Sequence, residues 1–251
     1  MMPHPDFAIR AVADYKGAFG SKVEYRSLLA FPNLRSLHLE RGRVTDEMVE
    51  TLSRCAALRG LTFSKSELTD VEVKMLTRLK QLTSLEVGVL RISDEGLKAF
   101  AEFPRLTYLS IEAVEIQGAD FELMGKALQL EGLNLQGKGF GDPQIEGMVM
   151  AFRESSLKRL TLSTPAVTDT FLRALSEMTN IQTLNFFEVK VSDEGLKSVA
   201  KMGALKQLSL FGTASSGEGV LAFKKSRPEV FVQGDDGLRR RMEAVNKADG
   251  N

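Results

Sequence analysis

Residues 92–98 read ISDEGLK and residues 191–197 read VSDEGLK: six identities in seven, 99 residues apart. Ten residues before each phrase stands an apolar-polar string, LTSLEV from Leu82 and IQTLNF from Ile181, so the phrase is the second half of a longer unit. The form LxxLxL, with any aliphatic residue or Phe at the apolar positions, occurs eight times: LRSLHL at Leu34, LRGLTF at Leu58, LTSLEV at Leu82, LTYLSI at Leu106, LEGLNL at Leu130, LKRLTL at Leu157, IQTLNF at Ile181 and LKQLSL at Leu205. Successive starts lie 24, 24, 24, 24, 27, 24 and 24 residues apart, which accounts for 99 where four equal steps would give 96. The surplus three residues fall in the fifth copy, within GMVMAFRESS. A period of this length indicates stacked units, none of which can bury its apolar face alone.

Each unit has two parts. In LxxLxL the fourth and sixth positions are apolar around a polar fifth, the period-two alternation of a short strand with one buried face. About ten residues in comes an aliphatic residue followed by Thr or Ser and then Asp: VTD at Val44, LTD at Leu68, ISD at Ile92, VTD at Val167 and VSD at Val191. A Ser or Thr oxygen can accept from the free amides of a helix's first turn, and the following carboxylate suits the positive end of the helix dipole. Apolar residues then recur three apart, as in Val49/Leu52, Val73/Leu76, Leu97/Phe100, Leu172/Leu175 and Leu196/Val199, and form one buried helical stripe. Each unit is therefore strand, loop, helix, loop.

The pattern resembles leucine-rich repeats, in the form LxxLxLxxTx[VI]TDxGLxxL known from bacterial proteins and similar to the ribonuclease-inhibitor and cysteine-containing classes. It covers about Leu34 to Gln233. The resemblance implies an α/β, right-handed leucine-rich-repeat solenoid, a horseshoe with a parallel sheet on the concave face and helices on the convex face. Strand spacing of about 4.8 Å against about 10 Å for helices requires that curvature. The polar residue of the ninth position is present only as Ser66 and Thr213, so no regular side-chain ladder is expected there. The fourth copy is the most degenerate, with QGAD at 117–120 in place of the Thr-Asp start.

The ends carry caps. FPN at Phe31, FPR at Phe103 and RPE at Arg227 each precede a strand start, so a half-repeat with a helix from about Lys22 to Phe31 is expected to cover the first strand, and VFVQ from Val230 is a ninth, incomplete strand. Terminal units need such covers because they otherwise expose an apolar side and a free sheet edge. This divides the chain into a leader and capping half-repeat at 1–33, eight repeats and a terminal strand at 34–233, and a polar tail or short capping helix at 234–251 in which Leu238, Met242 and Val245 share one helical face.

Composition narrows the function. Lys plus Arg equals Asp plus Glu at 33 each, which gives no overall field to attract nucleic acid, and Arg239–Arg241 is read as a solvated face. Neither an apolar leader nor an uninterrupted apolar run of membrane-spanning length is evident, so no membrane partner is expected. The single cysteine, Cys55, stands where other units have Leu79, Phe103 and Met178; it is read as a small buried hydrophobe and fits a reducing, cytoplasmic compartment. With only His4 and His38, a two-histidine metal site is excluded and no cofactor is expected. The Gly-rich stretch Gly137–Asp142 lacks the GKS or GKT of a phosphate loop, and no catalytic triad can be nominated. The recurrent Asp46, Asp70, Asp94, Asp169 and Asp193, one per helix start, are capping residues and not metal ligands. No enzyme is expected.

Binding would sit on the inner sheet face, where positions three, five and seven of each unit project. Most are small and polar. Phe187 and Phe211 occupy position seven of consecutive units, with Asn185 beside them, and large apolar groups on a solvent face call for a covering partner or for the C-terminal tail folding back. Glu86, Tyr108 and Glu112 form a second group, suited to a basic or amphipathic segment. The expected function is a non-catalytic protein-interaction module of adaptor or inhibitor type that binds another protein or peptide on the concave face. The alternative is a recognition domain for peptide or glycan.

Overall fold

The computed structural model describes residues 25–40, 42–116, 121–138, 140–165 and 168–249. The QGAD stretch, Val167, the first residues of the expected capping helix and the last two residues of the tail lie outside them. The chain divides into two compact units, Met1–Leu130 and Glu131–Asn251.

In the first unit the strands β1 (Ser36–Glu40), β2 (Gly60–Leu68), β3 (Ser84–Ile92) and β4 (Tyr108–Ile116) are parallel and paired in chain order. Helices α1 (Asp46–Ser53), α2 (Asp70–Leu76), α3 (Asp94–Phe100) and α4 (Glu122–Ala127) follow them one by one. The described part of the N-terminal cap is a 3₁₀ turn, Tyr25–Ala30, packed on α1. The second unit repeats the plan with β5 (Gly132–Gln136), β6 (Arg159–Ser163), β7 (Thr183–Phe187), β8 (Gln207–Phe211) and β9 (Phe231–Gly234), again parallel and in order. Its helices are α5 (Asp142–Phe152), α6 (Asp169–Leu175), α7 (Asp193–Val199), α8 (Gly217–Ser226) and α9 (Asp236–Asp249). Each unit is a leucine-rich-repeat solenoid of the α/β class. The extra three residues of the fifth repeat lengthen its helix: α5 has 11 residues where α6 and α7 have 7.

Strand register explains the burial. Leu85 pairs with Leu109 and Val87 with Ile111, and in the second unit Leu184 pairs with Leu208 and Phe186 with Leu210, so equivalent positions stack and bury row on row. The helix stripes Val73/Leu76, Leu97/Phe100, Leu172/Leu175 and Leu196/Val199 are buried with them. Each such side chain removed from water contributes about 1.5–3 kcal/mol.

The ISDEGLK phrase turns out to join repeats. The sequence assigned each aspartate to its own helix; among the described residues, Asp70, Asp169 and Asp193 serve the next one. Asp70 accepts from the backbone N (3.1 Å) and Oγ (2.5 Å) of Ser93, the N-cap of α3. Asp169 does the same for Ser192, the cap of α7, and Asp193 for Ser216, the cap of α8, at 2.7 and 2.6 Å. Ser93 Oγ then accepts from Glu95 N and Ser192 Oγ from Glu194 N. The glycine three residues after each cap leaves room for the carboxylate: a Cβ at Gly96, Gly195 or Gly219 would stand 2.1, 2.3 or 2.0 Å from the Oδ1 of Asp70, Asp169 or Asp193.

Where the third helical residue is Glu or Gln, the cap is closed within its own repeat. Glu72 accepts from Thr69 N at 2.9 Å and Oγ1 at 2.5 Å, and Gln144 Oε1 accepts from Gly141 N at 3.1 Å. Partial burial pushes the Glu72 carboxyl up, but the Thr69 hydroxyl and amide pull it further down, to a net value below the ordinary one. A depressed folded value means that this contribution is present above the unfolded carboxylate range and is lost as pH falls through the folded value. Urea unfolding of wild type and Glu72→Gln should therefore differ at neutral pH and converge in strong acid.

Hydroxyl bonds between repeats do occur, but at shifting positions. Ser66 Oγ donates to Gly42 O at 3.2 Å, Ser215 Oγ to Val191 O at 2.9 Å, and Thr164 Oγ1 to Phe140 O, from the ninth, eleventh and eighth positions of their repeats. The ninth position alone therefore misjudges the ladder. At several eighth positions the backbone turns left-handed. Lys65, Gly137, Glu188 and Gly212 stand there with φ of 51°, 100°, 57° and 64°, and this left-handed turn takes the chain out of the strand or, at Lys65, into a bulge. Val89 and Ala113 hold that position in the third and fourth repeats, stay extended, and let β3 and β4 run to 9 residues where β7 and β8 have 5.

Candidate interaction surfaces

In the second unit, Phe187 and Phe211 pair across β7 and β8, and their rings stack with centroids 5.2 Å apart and planes 12° apart. Phe187 remains 38% exposed. One row away runs a polar chain that the sequence reading missed. Gln233 Nε2 donates to Ser209 Oγ (2.8 Å), Ser209 Oγ to Asn185 Oδ1 (2.7 Å), and Asn185 Nδ2 to Thr161 Oγ1 (3.1 Å), across β9, β8, β7 and β6. Its signal was present: four consecutive repeats carry Thr, Asn, Ser and Gln at the fifth position. The chain fixes Asn185 next to the phenylalanines. Phe231, opposite Gln207 on β9, adds a third aromatic ring to this unit's face, 62% exposed.

The described residues of the tail do not cover these rings. It forms α9, which packs on α8: a Cβ on Gly217 would stand 2.3 Å from Arg241 O. Leu238 is buried, and Met242 and Val245 are half-buried on the same side. Asp235 locks the turn into α9 by accepting from Gly212 N and Leu238 N, both at 2.7 Å, and these two amides hold its carboxyl below the usual range.

In the first unit, Tyr108 pairs with Ser84, Glu86 with Ser110, and Glu112 with Gly88. Glu86 is thus one strand over from Ser110 and diagonal to both Tyr108 and Glu112. The group is contiguous, as the sequence reading implied. Their neighbours Gly88 and Ser110, also at outward positions, are buried. Leu90 and Val114, at the next outward level, are 42% and 64% exposed.

Other candidates have structural occupations. Cys55 is buried, its Sγ donates to Thr51 O at 3.6 Å, and burial pushes the thiol up, the opposite of nucleophilic activation. His38 Nε2 lies 2.8 Å from Ser64 Oγ. In the Gly-rich stretch, Gly137 makes the turn out of β5 and Gly141 is the N-cap of α5. Arg239 pairs with Asp236 at 3.3 Å on the exposed side of α9. Among the described residues, no helix is long and apolar enough to cross a membrane.

No family model matches the chain, and no curated protein matches it. Among solved structures it is similar to an internalin (inlF) from Listeria monocytogenes, 16% identical, with 83% of this chain and 69% of that one covered and a TM-score of 0.47. At that identity the likeness concerns the fold alone.

Proposed function

We propose that the chain is a non-catalytic protein-interaction module, of adaptor or inhibitor type, whose second unit docks a partner protein on its outward sheet face around Phe187, Phe211 and Asn185. The stacked, uncovered phenylalanine pair carries this reading. Aromatic groups anchored on a rigid sheet lose little conformational freedom on binding, and they dominate interface energetics. Asn185, held by Ser209 and Thr161, offers its remaining hydrogen-bonding capacity at a fixed place. The fifth-position groups Thr161, Asn185, Ser209 and Gln233 are bonded to one another, which suits them to hold a surface rigid. The single buried thiol suits a reducing cytoplasm.

The test is affinity capture from native cell extract with wild type and with Phe187→Glu/Phe211→Glu, after circular dichroism and thermal unfolding establish that both fold. A protein retained by wild type and absent from the double variant supports the site. The same proteins with both, or none with either, would remove it.

A further inference from the structure

We infer that the outward face of β3 and β4 in the first unit is a seat for an extended segment of a partner protein that carries a Lys or Arg together with an apolar residue. The inference is independent of the aromatic face of the second unit.

The seat has a floor, a wall and two kinds of rim. Gly88 and Ser110 form the floor; both are buried at positions whose side chains point outward. The wall is the bulge of β2, which leans over β3 so closely that a Cβ on Gly88 would lie 2.8 Å from Ser66 O. Only glycine fits beneath that carbonyl. Above the floor the rim is anionic. By strand spacing and rise, the backbones of Glu86 and Glu112 are about 8 Å apart on the diagonal, within the joint reach of one long basic side chain. Two basic side chains of the adjoining strands are already engaged: Arg91 pairs with Glu115 at 3.1 Å and Lys65 with Glu40 at 2.5 Å.

Beyond the glutamates the rim turns apolar. Leu90 and Val114 stand between the paired Val89/Ala113 and Arg91/Glu115, at the outward level next after Gly88 and Glu112, and both are exposed. They are there because Val89 and Ala113 continue the strands where β7 and β8 turn away. Carboxylates at one level and an exposed apolar pair at the next are complementary to a basic and an apolar side chain. In an extended segment lying along the strands, those two would be separated by about two to four residues. Tyr108, on the other flank of Ser110, closes the seat with an amphipathic ring. A neutral polar partner would leave two carboxylates unpaired, and an acidic one would be repelled.

The experiment is panning of a phage-displayed library of random dodecapeptides on the full chain, with counter-selection on Glu86→Gln/Glu112→Gln. Enrichment of peptides in which Lys or Arg and an apolar residue recur at that separation is the expected result. A synthetic copy of an enriched peptide should bind Glu86→Gln/Glu112→Gln, and separately Leu90→Ser/Val114→Ser, at least about tenfold more weakly than wild type. It should bind Phe187→Glu/Phe211→Glu with unchanged affinity. Failure to enrich, enrichment of peptides without a basic residue, or loss of binding with the phenylalanine variant instead of the glutamate variant would each overturn the assignment, whatever the fate of the second unit's site.

Discussion

Replacing Gly195 by alanine lowers the stability of the protein by about 2–4 kcal/mol, although alanine is the better helix former by up to about 1 kcal/mol. The reason lies one repeat away. The new Cβ would stand 2.3 Å from Asp169 Oδ1 and 2.4 Å from Leu172 Cδ1, so the carboxylate must move. Asp169 cannot move without releasing Ser192 N and Oγ, two bonds to a charged acceptor. Each such bond contributes about 1.5–3 kcal/mol, and the pair outweighs the gain in helix propensity. Gly203→Ala is the control: nothing lies within 4 Å of its Cβ, and urea unfolding should show a midpoint within a few tenths of wild type. Equal midpoints for both variants would show that the aspartate relay contributes nothing.

Arg227→Met costs about 2–4 kcal/mol for a related reason. The Arg227 guanidinium, with a side chain only 13% exposed, donates through Nη1 to Ala200 O (2.8 Å) and Met202 O (2.9 Å) and through Nη2 to Leu205 O (3.4 Å). It thereby neutralises the negative end of α7 and ties the chain leaving α8 to the loop that precedes β8. Methionine keeps much of the volume but withdraws the donor from three carbonyls, of which Met202 O keeps a bond from Leu205 N. Arg227→Lys should fall between the two, because an ammonium retains the charge and loses the fork. Glu229, which binds Nε at 2.5 Å from an exposed position, should matter less: Glu229→Gln leaves the carbonyl bonds intact. Thermal unfolding of the three variants orders them; a methionine variant as stable as wild type would sink this account.

Both effects lay beyond local reading. The phrase SDEG showed a cap and an acidic first turn, and nothing in one copy says that the aspartate belongs to the following repeat. That relation needs the stacking, which brings residues 23 apart in sequence, such as Asp70 and Ser93, within hydrogen-bond distance. Similarly, RPE looked like a loop before a strand, whereas Arg227 reaches carbonyls 22 to 27 residues earlier.

Much of the surface was nevertheless legible. Period-two alternation placed Phe187 and Phe211 on one row, and parallel register made them neighbours because the repeat length between them is constant. The same logic grouped Glu86, Tyr108 and Glu112. Whether the tail covered the phenylalanines could not be read, because Leu238, Met242 and Val245 only announce an amphipathic helix and not the surface it seeks. The cap of the last repeat, α8, was the face left open, and α9 took it.

Sequence alone determined the repeat, the strand-and-helix plan of the units and the alternation of inward and outward side chains over the first seven positions of each repeat. These follow from periodicities of 2, about 3.6 and 24 residues, which are properties of the chain itself. Tertiary structure decided what passes between repeats: the aspartate relay, the polar chain from Thr161 to Gln233, the bulge over Gly88 and the reach of β3 and β4 to Leu90 and Val114. Those depend on distances across the stack, and no single repeat contains them.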